Sequence, residues 1–203
     1  MNELLKAHSP EAWVLLRPRA AWPRLAGFAA EGGRWLAWRR PLLFAFVLGC
    51  IVSLMTSGRV TLRLAGPATI YWTFVPLCEV ASLAAVGARS RRKVPISRAI
   101  DLFFMGHGVW FLWLIGFAAV WAFCPAPHAF AWLSKPWVRY GPVFAAIAWS
   151  GYIDFWFFRS VFARTRAGAA CALLAQRLIC WSGALALFLA PSAWTVLASR
   201  LGL

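Results

Sequence analysis

The chain has 203 residues, of which 62% are hydrophobic and only 13% charged, with 14 Trp and a formal net charge of +15. A soluble domain carries ~45–50% apolar and ~25% charged residues, so this composition argues against a soluble enzyme or binding module and for an integral membrane protein. The positive charge does not point to nucleic acid. The basic residues lie mostly between apolar segments, where retention on the cytoplasmic side explains them, and no nucleic-acid motif is legible.

Residues 1–40 form a first region. Its apolar patches are broken by Arg17, Pro18, Arg19, Pro23 and Arg24, which excludes the unbroken core of a cleavable signal peptide. Trp13, Leu15, Leu16, Trp22, Leu25, Phe28, Trp35 and Trp38 alternate with arginines. That mixture predicts a cytoplasmic segment lying on the membrane surface, with a partner-docking tail as the rival reading.

Residues 41–203 read as one all-α, polytopic bundle of about five transmembrane helices. The spans fall at residues 41–57, 69–88, 100–123, 142–162 and 169–190, each approaching the ~20 residues a crossing needs. Continuously apolar segments of this length exclude barrel strands. Basic residues alternate between rich and poor connections: seven before the first span, Arg59 and Arg63 after it, then Arg89, Arg91, Arg92, Lys93 and Arg98. The later connections hold Lys135 and Arg139, then Arg159, Arg164 and Arg166, then Arg200. The positive-inside rule then puts the N-terminus in the cytoplasm and the C-terminus outside. A four-span arrangement with a re-entrant first segment is the alternative. The stretch from Arg59 to Leu64 alternates like a strand or an interfacial edge. Residues 125–140, rich in Pro and Trp, suit an irregular outer cap.

Five cysteines (Cys50, Cys78, Cys124, Cys171 and Cys180) show neither a CxxC pair nor metal-ligand spacing. The ionisable residues inside the spans are more informative. Counting along the helices at ~1.5 Å per residue puts Glu79 and Arg177 at a common depth of ~13 Å, with His107 and Asp154 at ~7–11 Å. Asp101 marks the entry of the third span. Charges at such depth pair, face a protein interior or line a polar pathway. A buried Glu79–Arg177 ion pair is the leading expectation, with Arg177 snorkelling to the interface or stacking on Trp181 as alternatives.

His107, between two glycines, reads as a hydrogen-bonded interior residue. Its substitution by Ala is then expected to be mild. Glu79, His107 and Asp154 are three residues of metal-ligating type, but no helical ligand motif supports them, so no metal and no cofactor is expected. Pro76 is expected to kink the second span three residues before Glu79, leaving a carbonyl free. Ser150, Gly151 and Asp154 form a small, polar stripe suited to facing another helix. Arg39, Arg40, Arg91, Arg92 and Lys93 are the expected contacts for anionic headgroups or a partner.

Two stretches resemble the Yip family of small five-span membrane proteins, named for interaction with Rab-type GTPases. One runs from Lys93 through Pro95, Arg98 and Asp101 to Gly106 and His107. The other is Trp149-Ser150-Gly151-Tyr152, followed by Arg159, Arg164 and Ala169. The resemblance implies a shared fold and no GTPase partner, since fold does not carry function. The chain lacks a proline after Gly106 and has Asp154 where an apolar residue would be ordinary.

Nothing in the sequence pairs a nucleophile with a general base or cradles a phosphate. The expected function is therefore non-enzymatic, that of an accessory subunit or organiser in a bacterial inner (plasma) membrane. Its expected partners are the bilayer and another membrane protein or a second copy. A small transporter or lipid-moving protein that uses the polar cluster is the alternative. An intramembrane enzyme with Glu79, His107 and Asp154 as acid/base groups comes third.

Overall fold

The computed structural model describes residues 9–27, 37–90, 94–123 and 135–201. They form nine α-helices and, among the described residues, no strand: α1 (Pro10–Leu16), α2 (Pro18–Leu25), α3 (Arg39–Ser57), α4 (Leu62–Trp72), α5 (Phe74–Ala88), α6 (Ile96–Met105), α7 (Gly108–Phe123), α8 (Pro136–Ser160) and α9 (Arg166–Leu201). Three units are long and apolar enough to cross a membrane: α3, α4 with α5, and α9 up to Ala190. The α6–α7 pair, bent by 44°, makes a fourth if it is one span. At 25 residues α8 has the length for a crossing, but it is not among the helices apolar enough, with Arg139, Asp154 and Arg159 in its sequence.

The first two membrane units pack most intimately. A Cβ on Gly49 of α3 would sit 2.7 Å from the Ala65 carbonyl oxygen of α4, so only glycine permits this backbone approach. Ser53 Oγ accepts the Thr61 N–H at 3.0 Å and tightens the turn between the two helices. The alternation from Arg59 to Leu64 therefore forms no strand. It is a short turn running into the start of α4, which pairs its backbone internally as a lone strand in lipid cannot. The second unit accordingly starts at Leu62, seven residues earlier than expected.

Pro76 acts one turn upstream of where it was expected to. Its missing N–H would have bonded to the Trp72 carbonyl. The helix breaks there at Thr73, whose N–H makes a tight turn to the Ile70 carbonyl at 3.3 Å. The third predicted span is also interrupted: α6 ends at Met105 and α7 begins at Gly108, leaving Gly106 and His107 at the bend. The fifth continues past its expected end to Leu201. Of the predicted outer cap, residues 136–140 are helical and 125–134 lie outside the described residues.

Residues 9–27 of the N-terminal region form a helical hairpin. Ser9 caps α1 by accepting the Ala12 N–H, and Pro10 and Pro18 open α1 and α2. The resulting hairpin packs against the bundle. Helix α1 packs on α6 and α7, and α2 packs on α8. Val14 and Trp22 are fully buried, and the Trp22 indole N–H donates to the Ile153 carbonyl at 3.0 Å. A large ring with its one donor satisfied is more stable inside than at the interface. Gly106 makes room for it: a Cβ there would lie 3.0 Å from the Ile153 side chain and 3.7 Å from the Trp22 ring. Around this point Phe103, Phe157, Phe158, Phe162, Leu83 and Leu102 form the centre of the core.

A buried polar cluster as candidate functional site

Helix α5 delivers Glu79 and Ser82, the α6–α7 bend delivers His107, α8 delivers Ser150 and Asp154, and α9 delivers Gln176 and Arg177. Glu79 is 6% exposed, and His107 and Asp154 are 3% exposed. The expected Glu79–Arg177 pair does not form. Glu79 Oε2 instead lies 2.8 Å from His107 Nε2, and Arg177 pairs with Asp154, its Nη2 also donating to Ser150 Oγ at 3.2 Å. The reason is the ~100° turn per helical residue. Gln176 faces α5, donating to Ser82 Oγ at 3.3 Å, so its neighbour Arg177 faces α8. Arg177 also stacks on Trp181 at 5.9 Å, as one of the alternatives foresaw.

The bend decides the chemistry of His107. Its backbone N–H turns to the Phe104 carbonyl, and its ring Nδ1 reaches the Phe103 carbonyl at 3.3 Å. A carbonyl only accepts, so Nδ1 carries a proton. Nε2 then either donates to an ionised Glu79 or accepts from a protonated one, and in both cases one proton is shared between the two residues. The ring is held in place by Phe104, stacked at 4.5 Å, and by Phe44 at 5.3 Å, edge to face.

The two pairs lie within electrostatic reach of each other, since Asp154 senses Glu79 and His107 besides Arg177. One loose end remains: Gln176 Oε1 is buried without a hydrogen-bond partner among the described residues. No three His, Cys, Asp or Glu side chains converge to hold a metal ion among the described residues. Asp154 is turned to Arg177, which breaks up the candidate set with Glu79 and His107. Cys50, Cys78, Cys171 and Cys180 are free thiols, and Cys124 lies outside the described residues.

Asp101 does not join this cluster. It belongs to a second network at the end of the bundle, where it pairs with Arg40, with Arg98 at 3.4 Å and with Arg39 at 3.9 Å. Arg40 also grips Glu11 of α1, and Arg98 donates to the Leu25 carbonyl at 3.1 Å. Burial alone would raise the Glu11 carboxyl, but the hydrogen bond and charge of Arg40 outweigh it and hold the group below its ordinary value. Arg40 was expected to face lipid or a partner, yet its side chain is only 13% exposed and fastens the N-terminal hairpin. Arg39 remains exposed, and Arg91, Arg92 and Lys93 lie outside the described residues. Sequence reasoning missed Ser82 and Gln176; their signal was two polar residues inside apolar helices.

No protein-family model matches the chain, and no curated protein or solved structure matches it either.

Proposed function

We propose that this chain is a non-enzymatic membrane protein that acts by association, as an accessory subunit or an organiser of membrane components. The closure of the polar cluster carries this reading. Its carboxylates are sealed and matched to His107 and Arg177, so none stands open as a base or ligand. What faces outward on α9 is apolar: Leu174, Leu178, Trp181 and Leu185 are all at least half exposed. Such a face suits lipid or a neighbouring helix. With it we propose five spans, α8 counted as the fourth, an N-terminus in the cytoplasm of a bacterial inner membrane, an external C-terminus and a Yip-like fold.

The test is affinity purification from native membranes in mild detergent, followed by mass spectrometry and native mass. A stoichiometric set of membrane proteins supports association. A clean monomer or a homo-oligomer of this chain alone overturns the accessory-subunit reading.

A second reading is favoured by the proton shared between Glu79 and His107, together with a Gln176 Oε1 that has no partner among the described residues. These are parts that a proton-coupled carrier or lipid-moving protein could use. Flux in liposomes that Glu79→Gln abolishes, with the protein still folded, would select it.

A further inference from the structure

Trp156 of α8 holds two cations on one ring. The Arg159 guanidinium carbon lies 4.9 Å from the ring centre, and that of Arg19, from α2, lies 5.5 Å away. Neither arginine is ion-paired among the described residues. Two like charges sharing a ring repel, and an anion between them relieves the repulsion through charge-assisted hydrogen bonds. The Trp156 Nε1–H is itself shut from solvent with no acceptor among the described residues. Arg19 is exposed and Arg159 half-buried, so both guanidiniums are open to a ligand at the surface, while the indole N–H beneath them is not.

An aromatic row leads away from it along α8. Tyr152 follows Trp156 at 6.4 Å and Trp149 follows Tyr152 at 5.5 Å, and Tyr152 and Trp149 are 41% and 43% exposed. The row descends from the Arg159 end of the helix by ~10 Å. A charged head that opens onto an exposed aromatic track matches a phospholipid. A free phosphate would use the head alone.

We infer that Arg19 and Arg159, both held on the Trp156 ring, bind the phosphate of an anionic phospholipid whose acyl chains run along Tyr152 and Trp149. The lipid bridges the N-terminal hairpin to α8. This site rests on the membrane-spanning reading and is independent of any protein partner or transported substrate.

The test is native mass spectrometry of the full chain in detergent, titrated with phosphatidylglycerol and with phosphatidylcholine. Wild type is expected to keep one phosphatidylglycerol under activation that strips phosphatidylcholine. The pair Arg19→Gln and Arg159→Gln should weaken it by roughly tenfold or more. The pair Arg89→Gln and Arg166→Gln removes the same charge from other exposed positions and should leave it unchanged. Trp156→Leu removes the ring that holds both guanidiniums and should weaken binding several-fold. Equal retention by the first pair, or equal loss in the second, overturns the site. Displacement of the lipid by inorganic phosphate alone overturns it in favour of a free-phosphate pocket. Melting of each variant in the same detergent separates lost binding from lost fold. Should the first pair unfold, unchanged binding by Trp156→Leu overturns the proposal.

Discussion

The charges inside the bundle and those at its end are held in different ways. Inside, Glu79 has His107 and Asp154 has Arg177, and both carboxylates are almost sealed. At the end, Arg40 serves both Asp101 and Glu11, Asp101 also has Arg98 and Arg39, and the Glu11 side chain is 46% exposed. A sealed ion that loses its partner has nowhere to turn, whereas an edge ion has water and a spare partner. Interior pairs therefore fix which helices are neighbours. The edge network fastens a hairpin to a bundle already formed.

The largest effect should come from Arg177→Leu, which strands Asp154. Unfolding in detergent is expected to show a loss of ~3–5 kcal/mol. Adding Asp154→Leu should restore much of it, and adding Glu79→Gln should not. The opposite pattern of rescue would reverse the pairing. His107→Ala comes next at about 3 kcal/mol, because it leaves Glu79 buried and alone. His107→Gln keeps an N–H for Glu79 and should cost clearly less in the same melt. The contact with Glu79 thus replaces the mild effect expected from sequence with a severe one.

Arg40→Gln should cost only about 1–2 kcal/mol, since Asp101 keeps Arg98 and Arg39. A loss as large as that of Arg177→Leu would erase the distinction between interior and edge. The smallest effect belongs to Glu11→Gln, at most ~1 kcal/mol at neutral pH for so exposed a pair. Its folded carboxyl is depressed by Arg40, so its contribution is complete above the ordinary carboxylate range. As pH falls through the folded value, the contribution disappears. The gap in melting temperature between wild type and Glu11→Gln should therefore close in acid.

That the four ionisable side chains of the buried cluster come together was legible in the sequence, and which of them pair was not. Counting residues put Glu79, Arg177, His107 and Asp154 in one layer, and the structure gathers all four. Counting gives height along a helix but not which way a side chain points across it. Only the packing of α9 between α5 and α8 shows that Gln176 meets one and Arg177 the other. The docking of the hairpin was hidden for a related reason. Arginines beside tryptophans describe a surface segment and a docked one equally well, and what separated them was a pocket built by Gly106, Ile153 and Phe157 from distant parts of the chain. Of the polar stripe of Ser150, Gly151 and Asp154, Ser150 and Asp154 meet Arg177 of α9, whereas a Cβ on Gly151 would meet open space.

The Trp22 bond spans 131 residues, from the second helix to the eighth. During synthesis at ~5–20 residues per second, the hairpin emerges on the order of ten seconds before its acceptor exists. Meanwhile α3 and α4, joined by a four-residue turn, can close as soon as they are made. The first helices translated therefore cannot finish docking until the eighth has been made, and a seated Trp22 reports that α8 has reached its place.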